Sequence, residues 1–155
     1  MRRAISLEGS EIARGTWLMR VPFLRRFAAA QSVRLVGERL YLRAPEDVDF
    51  LAYAELRSRS RAFLEPWEPA WVDDLLSRES FARRLRRADQ DRREDAAYGY
   101  FLLRRGDDRL LGGIGLSNVR RGVAQSATLG YWIGQEHARQ GYMTEALGVL
   151  LAYAF

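Results

Sequence analysis

Three apolar segments in the second half of the chain follow one another with only short polar turns between them. The segments are rich in strand-favouring residues, and the two turns contain Gly106 and Gly122. Parallel strands need connections of a dozen residues or more, so segments joined this closely are expected to pair antiparallel. The predicted strands span residues 98–104, 110–119 and 124–134.

The residues before this sheet predict one further strand, at the alternating residues 39–43, and two helices, at residues 47–63 and 74–95. A third helix is predicted after the sheet, at residues 141–155. Two prolines, Pro66 and Pro69, interrupt the segment between the first two helices. We therefore predict an α/β (α+β) domain over residues 33–155, preceded by a loosely ordered extension over residues 1–32.

Composition narrows the chemistry that is open to the chain. The 155 residues include no cysteine and a single histidine, which leaves no thiolate or histidine-rich metal site. No apolar run reaches the length of a membrane span. The net charge of +5 permits nucleic-acid binding. The arginines of residues 83–93 alternate with acids, however, which favours a solvated helix face over a nucleic-acid surface.

The stretch from Gly130 to Leu147 carries the clearest functional signal. It combines a short apolar strand, a polar loop and a helix that opens at Gly141. A helix start leaves backbone N–H groups unpaired, and the helix dipole favours negative charge there. The stretch therefore predicts a phosphate-binding loop.

The order of these residues resembles the acetyl-coenzyme-A-binding segment of the GNAT superfamily of N-acetyltransferases, in particular its RimJ/RimL-type branch. Residues 61–67, 111–119 and 129–134 resemble the same branch in the same order. The resemblance implies a mixed, mostly antiparallel sheet flanked by helices. It also implies a further strand–helix–strand unit after residue 155, so we expect a domain that is incomplete and, unless another chain supplies the missing strands, aggregation-prone and nearly inactive alone.

The resemblance implies that acetyl-coenzyme A is the cosubstrate, with no metal. Family members carry Gln or Arg where this chain has Ala138, and Gly or Ala where it has Met143, whereas Gly141 matches the family pattern. Main-chain groups of the strand end are expected to pair with the pantetheine arm. The implied cofactor-binding residues are Tyr131, Trp132, Ile133, Arg139, Gln140, Gly141, Tyr142, Met143 and Thr144.

The proton acceptor is unassigned at this point. Related enzymes often have a glutamate where this chain has Thr128, so Glu65 and Glu68 are weak candidates, and either is as well explained as a solvated loop carboxylate. His137 is a further weak candidate.

Three other residues are expected to contact the acceptor. Trp67 forms a groove wall or anchors its loop, while Ser117 and Asn118 bind the acceptor backbone or cap a turn.

The resemblance implies acetyl transfer to a protein N-terminus, such as that of a ribosomal protein, in the cytoplasm. The alternatives are a small-molecule amine acetyltransferase and a non-catalytic module that binds acyl-coenzyme A or RNA. Nucleic-acid binding is expected only through a ribosomal target, and no membrane partner is expected.

Overall fold

The computed structural model describes residues 33–123 and 125–154, together with the backbone of residues 16–20. The strands are β1 (Thr16–Arg20), β2 (Leu35–Val36), β3 (Leu40–Arg43), β4 (Tyr98–Arg104), β5 (Leu110–Arg120) and β6 (Ser126–Ile133). The helices are α1 (Phe50–Arg59), α2 (Arg61–Leu64), α3 (Arg78–Arg93) and α4 (Tyr142–Ala154). Short 3-10 turns occur at Asp47–Asp49, Glu65–Trp67 and Gln135–His137.

The six strands form one sheet in the order β1-β6-β5-β4-β3-β2, and every neighbouring pair is antiparallel. The strands predicted at residues 98–104, 110–119 and 124–134 are confirmed as β4, β5 and β6. Short turns hold them in register, with Gly99 opposite Gly115 and Gly115 opposite Gly130. The short strand β2 was not predicted, because two residues are too few to show an alternating pattern.

Helices cover both faces of the sheet, and each face has its own core. Buried side chains of α4, including Leu150, join Leu40, Leu42 and Leu102 on one face. Side chains of α1 and α3 pack on Phe101 and its neighbours on the other face. Alternate residues of β4 therefore serve opposite cores, as the two-residue period of a strand requires.

The glycines of β5 allow β6 to lie close. A Cβ added to Gly112 would lie 2.3 Å from the Trp132 carbonyl oxygen, and one added to Gly113 would lie 2.4 Å from Trp132 Nε1. Neither distance is compatible with a side chain. Glycine is therefore required here by close approach, and these residues fix where the end of β6 sits on the sheet.

Besides β2, two features of the fold differ from the sequence-based expectations. Strand β1 lies within the segment predicted as a loosely ordered extension, where Thr-Trp-Leu-Met has high strand propensity but spans too few residues to reveal a period. The rest of residues 1–32 lies outside the described residues. The first predicted helix is broken at Ser60, whose backbone leaves the helical region and whose hydroxyl accepts a hydrogen bond from Gln135 N–H at 2.9 Å.

Candidate active site

The loop between β6 and α4 has an unusual backbone. After the 3-10 turn, Arg139 adopts a φ of 60° and Gly141 a φ of 80°. Glycine takes such a conformation without strain, whereas an arginine there costs about 1 kcal/mol. The helix begins at Tyr142, one residue later than predicted, and the Gly141 carbonyl accepts its first hydrogen bond, from Glu145 N–H at 3.0 Å.

The backbone N–H groups from Arg139 to Thr144 are available to a ligand. Within the described part of the chain, none of them donates to a backbone or side-chain acceptor. N–H groups in alternating backbone conformations followed by a helix start form a concave donor surface for anions. Gly141 and Thr144 are also exposed, so the predicted loop has the donors that a pyrophosphate needs.

Arg39, in the turn between β2 and β3, contacts this loop through Gln140 and Tyr142. Its Nη1 donates to the Gln140 carbonyl at 3.0 Å, and its guanidinium stacks 4.7 Å above the centre of the Tyr142 ring. The C=O and N–H of one trans peptide point in opposite directions. Fixing the Gln140 carbonyl on Arg39 therefore turns the Gly141 N–H to the other side, where it remains free.

Glu145 lies in the first turn of α4 and would repel an anion if its charge faced the loop. Its carboxylate instead accepts from the Arg39 backbone N–H at 2.7 Å and from Arg39 Nε at 2.9 Å. Burial raises the pKa of Glu145, but the hydrogen bonds from Arg39 outweigh this and hold the pKa below its ordinary value. Arg39 thus neutralises the nearest carboxylate of the helix.

The end of β6 presents backbone groups at the edge of the sheet. Gly134 N–H donates to Leu111 of β5 at 2.9 Å, and the alternation of an antiparallel ladder then directs the groups of Tyr131 and Ile133 to the opposite edge. Among the described residues, the pairs on that edge are those between β1 and residues 126–130. Of the three strand-end residues in the predicted cofactor site, Tyr131 and Ile133 can pair with a ligand there, whereas Trp132 faces β5.

The Trp132 side chain belongs to the core rather than to a ligand site. Its ring packs edge-on against Tyr53 at 5.9 Å and against Phe101 at 6.4 Å. The Arg57 guanidinium lies 4.9 Å from the same ring and 4.8 Å from that of Trp71. A buried cation between aromatic faces is stabilised by their quadrupoles, so this stack fixes the end of β6.

Glu68 completes this buried stack. Its carboxylate accepts two hydrogen bonds from Arg57, at 2.8 and 2.6 Å, and one from Trp71 Nε1 at 3.0 Å. The other weak candidate for a base, Glu65, is exposed and pairs with Arg61 at 2.9 Å. Both carboxylates therefore have structural partners in the helix that precedes them, and neither is brought to the edge of β6 by a contact in the structure.

His137 is 4% exposed, and its Nε2 has no hydrogen-bond partner in the described part of the chain. A carboxylate oxygen of Glu136 lies 3.2 Å away, but without hydrogen-bond geometry. Burial lowers the pKa of His137. The neutral form of the imidazole is thus favoured at pH 7, and the side chain is buried at the end of the 3-10 turn that leads into the phosphate loop.

The three residues predicted to contact an acceptor have different surroundings in the structure. Trp67 is 63% exposed, so it does not anchor its loop in the core. Asn118 has a φ of 51° beside a bulge, and its amide donates to the Thr128 hydroxyl at 3.3 Å, which makes it a hairpin residue. Ser117 also bonds across to Thr128, at 3.5 Å, but it lines a groove on the α3 face of the sheet.

Sequence reasoning missed Arg39 and Arg57. Arg57 could have been recognised from the sequence. It continues the i, i+3, i+4 spacing of Tyr53 and Leu56, which places a cation on the apolar face of α1. No local pattern predicts the role of Arg39, because its partners Gln140 and Glu145 are about a hundred residues away in the chain. In the described residues, no cluster of three or more potential metal-ligating side chains occurs, and no helix is long and apolar enough to cross a membrane.

Comparison with known proteins supports the fold and identifies a family. The acetyltransferase (GNAT) domain family model matches residues 39–155. A probable N-acetyltransferase, YjcK, of Bacillus subtilis (strain 168) is 31% identical over 121 residues, which are 78% of this chain and 67% of that protein. The [ribosomal protein uS5]-alanine N-acetyltransferase of Escherichia coli (strain K12) is also 31% identical, over 78% of this chain and 62% of its own length.

Solved structures share the architecture at lower identity. The ribosomal-protein-S5-alanine acetyltransferase of Vibrio fischeri has a TM-score of 0.68 and 22% identity, covering 79% of this chain and 67% of that one. Mycobacterium smegmatis RimJ in complex with CoA-disulfide has a TM-score of 0.65 and 23% identity, covering 74% and 55%. The predicted fold class is confirmed, and the chain belongs to the acetyltransferase (GNAT) domain family.

Proposed function

We propose that this domain transfers the acetyl group of acetyl-coenzyme A to an amine, and that the amine is the N-terminal amino group of a protein. The observation that carries the proposal is the loop from Arg139 to Thr144. Its backbone N–H groups are free in the described structure and lie at a helix start. Beside them is a strand edge at which no described residue pairs with Tyr131 or Ile133.

The residues present fit coenzyme A at this place. The free N–H groups suit its pyrophosphate, and the exposed Arg139 adds a positive charge next to them. The outward groups of Tyr131 and Ile133 can accept the amide-containing pantetheine arm as an added strand. A backbone N–H at this edge would also stabilise negative charge on the thioester oxygen as the amine attacks. Tyr131, Ile133 and residues 139–144 are therefore the proposed cosubstrate site.

Transfer would be direct. The chain contains no cysteine that could carry the acetyl group, so the amine attacks the thioester while both substrates are bound. Glu65 and Glu68 are engaged by Arg61 and Arg57, and we assign the proton acceptor to neither. The choice of a protein N-terminus follows the uS5-alanine N-acetyltransferase relative, which spans a longer chain than this one.

A thermal-shift titration with coenzyme A and acetyl-coenzyme A tests cosubstrate binding. A ligand that binds only the folded state raises the free energy of unfolding, by about 2.7 kcal/mol at a hundred times its Kd. The melting temperature rises with it. No shift with either compound would contradict the proposed site.

Coenzyme A release in the presence of different amines tests the acceptor. We expect release with a peptide that has a free N-terminus and none with the same peptide blocked at its N-terminus. Release with a polyamine alone would favour a small-molecule acceptor. A thermal shift without release from any amine would favour a binding module.

A further inference from the structure

A groove of about 550 Å³ lies on the α3 face of the sheet, away from the phosphate loop. Its floor is formed by Gly99, Gly115 and Gly130, which are paired across β4, β5 and β6. A Cβ added to Gly99 or Gly130 would meet nothing within 4 Å. The open floor lets another main chain approach the sheet closely.

Arginines of α3 form one wall of this groove. Arg83, Arg84 and Arg87 line it together with a single acid, Asp91. Arg87 pairs with Asp91 at 2.8 Å, and Arg83 pairs at the same distance with Asp74. Such exposed pairs are weak and can be exchanged for a ligand. Arg84 is exposed and has no acidic partner among the described residues, so the wall carries excess positive charge.

The groove ends beside the reactive edge proposed above. Gly130 is followed directly by Tyr131, whose backbone groups face the open edge of β6. From there the floor extends across two strand spacings to β4, a distance of roughly 10 Å. An extended peptide covers that distance with about three residues.

We infer that this groove is a specificity site for the acceptor, and that it selects N-termini with acidic side chains at about the second to fourth residues. This inference rests on the proposed acetyl transfer, which sets the orientation of the peptide. Its amino group lies at the β6 edge, and its acidic residues lie beside Arg84. A carboxylate there gains a charge-assisted hydrogen bond in a partly enclosed groove. A basic side chain in the same place meets three arginines.

Peptide binding measured without acetyl-coenzyme A separates this inference from the proposed function. Two fluorescent octapeptides begin with alanine and carry either glutamate or lysine at residues two to four. We expect the glutamate peptide to bind the full chain at least about five-fold more tightly, the equivalent of one good surface ion pair. Equal affinity would overturn the inference even if acetyl transfer occurs. A preference without acetyl transfer would support the acidic-peptide groove and contradict the proposed function.

Two charge reversals on α3 localise the effect. Arg84→Glu is expected to remove the preference for the glutamate peptide, whereas Arg86→Glu is expected to retain it. Arg86 is also exposed on the same helix but does not line the groove. Equal effects of both variants would indicate a general field of the helix and contradict a specific site.

Filling the floor gives a test that leaves the charge unchanged. Gly99→Val places a side chain in open space and suits a strand, so the fold should be retained while peptide affinity falls about ten-fold. Gly148→Ala, on the exposed face of α4, is the matched control and should bind as before. A single-stranded RNA that binds the groove more tightly than the glutamate peptide, with steep salt dependence, would overturn the acidic-peptide assignment.

Discussion

The loop after β6 and the loop after α2 are held in shape by opposite means. The first uses the backbone: its shape depends on Gly141 at positive φ, and its free groups are main-chain N–H groups. The second is held by side chains, because Glu68 and Trp71 attach to the buried Arg57. A main-chain site tolerates changes of side chain, whereas a side-chain assembly fails when one member is removed.

The largest expected effect tests the main-chain site. Gly141→Asp places a carboxylate where the phosphates approach most closely. Two like charges about 4 Å apart near a protein surface repel by about 4 kcal/mol, or about a thousand-fold in affinity. Isothermal titration calorimetry with coenzyme A measures the change.

Gly148→Asp is the control for this variant, since it adds the same charge within α4, away from the loop. Gly141→Ala separates shape from charge. It introduces a strained φ and brings its Cβ to 3.2 Å from Arg39 Nη2, so a smaller loss is expected. If Gly141→Asp bound coenzyme A with wild-type affinity, the main chain of this loop would not be part of the binding site.

The next effect tests the side-chain assembly. Arg57→Met leaves the partly buried Glu68 carboxylate without its partner, and we expect the free energy of unfolding to fall by about 3 kcal/mol in urea titrations. Adding Glu68→Gln should restore part of the loss, because it removes the unpaired charge.

Glu65→Gln removes the exposed pair with Arg61, leaves the Arg61 contact with Trp71 in place, and should cost under about 0.5 kcal/mol. If Arg57→Met were equally mild, the loop after α2 would not depend on its side chains, and the contrast between the two loops would be lost.

These two sites also differ in how well the sequence predicted them. The strands of the hairpin region and the phosphate loop follow from local patterns, namely alternating residues, short turns and a glycine before a helix. The Arg57 stack joins residues 53, 57, 68, 71 and 132, so its geometry depends on the packing of α1 against the sheet. Glu68 therefore read as a candidate base in the sequence, although the structure shows it as an ion-pair partner.

A smaller effect concerns the contact that supports the main-chain site from behind. Glu145→Gln weakens the attachment of α4 to Arg39, and we expect a loss of about 1 kcal/mol in unfolding free energy at pH 7. The pKa of Glu145 is lower in the folded state than in the unfolded state, so its contribution is present above the ordinary pKa of 4.5 and is lost as the pH falls further.

Urea titrations at pH 7 and pH 4 should therefore show a smaller difference between wild type and Glu145→Gln at the lower pH. Glu38→Gln, at an exposed residue whose carboxylate makes no ion pair among the described residues, is the control and should change stability little at either pH.

The smallest effect concerns His137. Burial lowers the pKa of this imidazole, so protonation favours the unfolded state, and stability should decline as the pH falls below about 6.5. Melting temperatures between pH 7.5 and 5.5 measure the slope, and His137→Gln should flatten it. An unchanged slope in the variant would assign the pH dependence to other groups.

The pairing of β1 has a practical consequence for any preparation of this protein. Thr16 lies opposite Gly130, and β1 runs antiparallel to β6, so the chain enters β1 at the end nearest Tyr131. In a chain shortened to begin at Thr16, an affinity tag would therefore be attached next to the strand edge where the pantetheine arm is proposed to pair, and it would compete with the cosubstrate for that edge. A tag fused after α4 would start from the opposite end of that helix from the phosphate loop. Kinetic comparisons should be made on chains with the same upstream sequence.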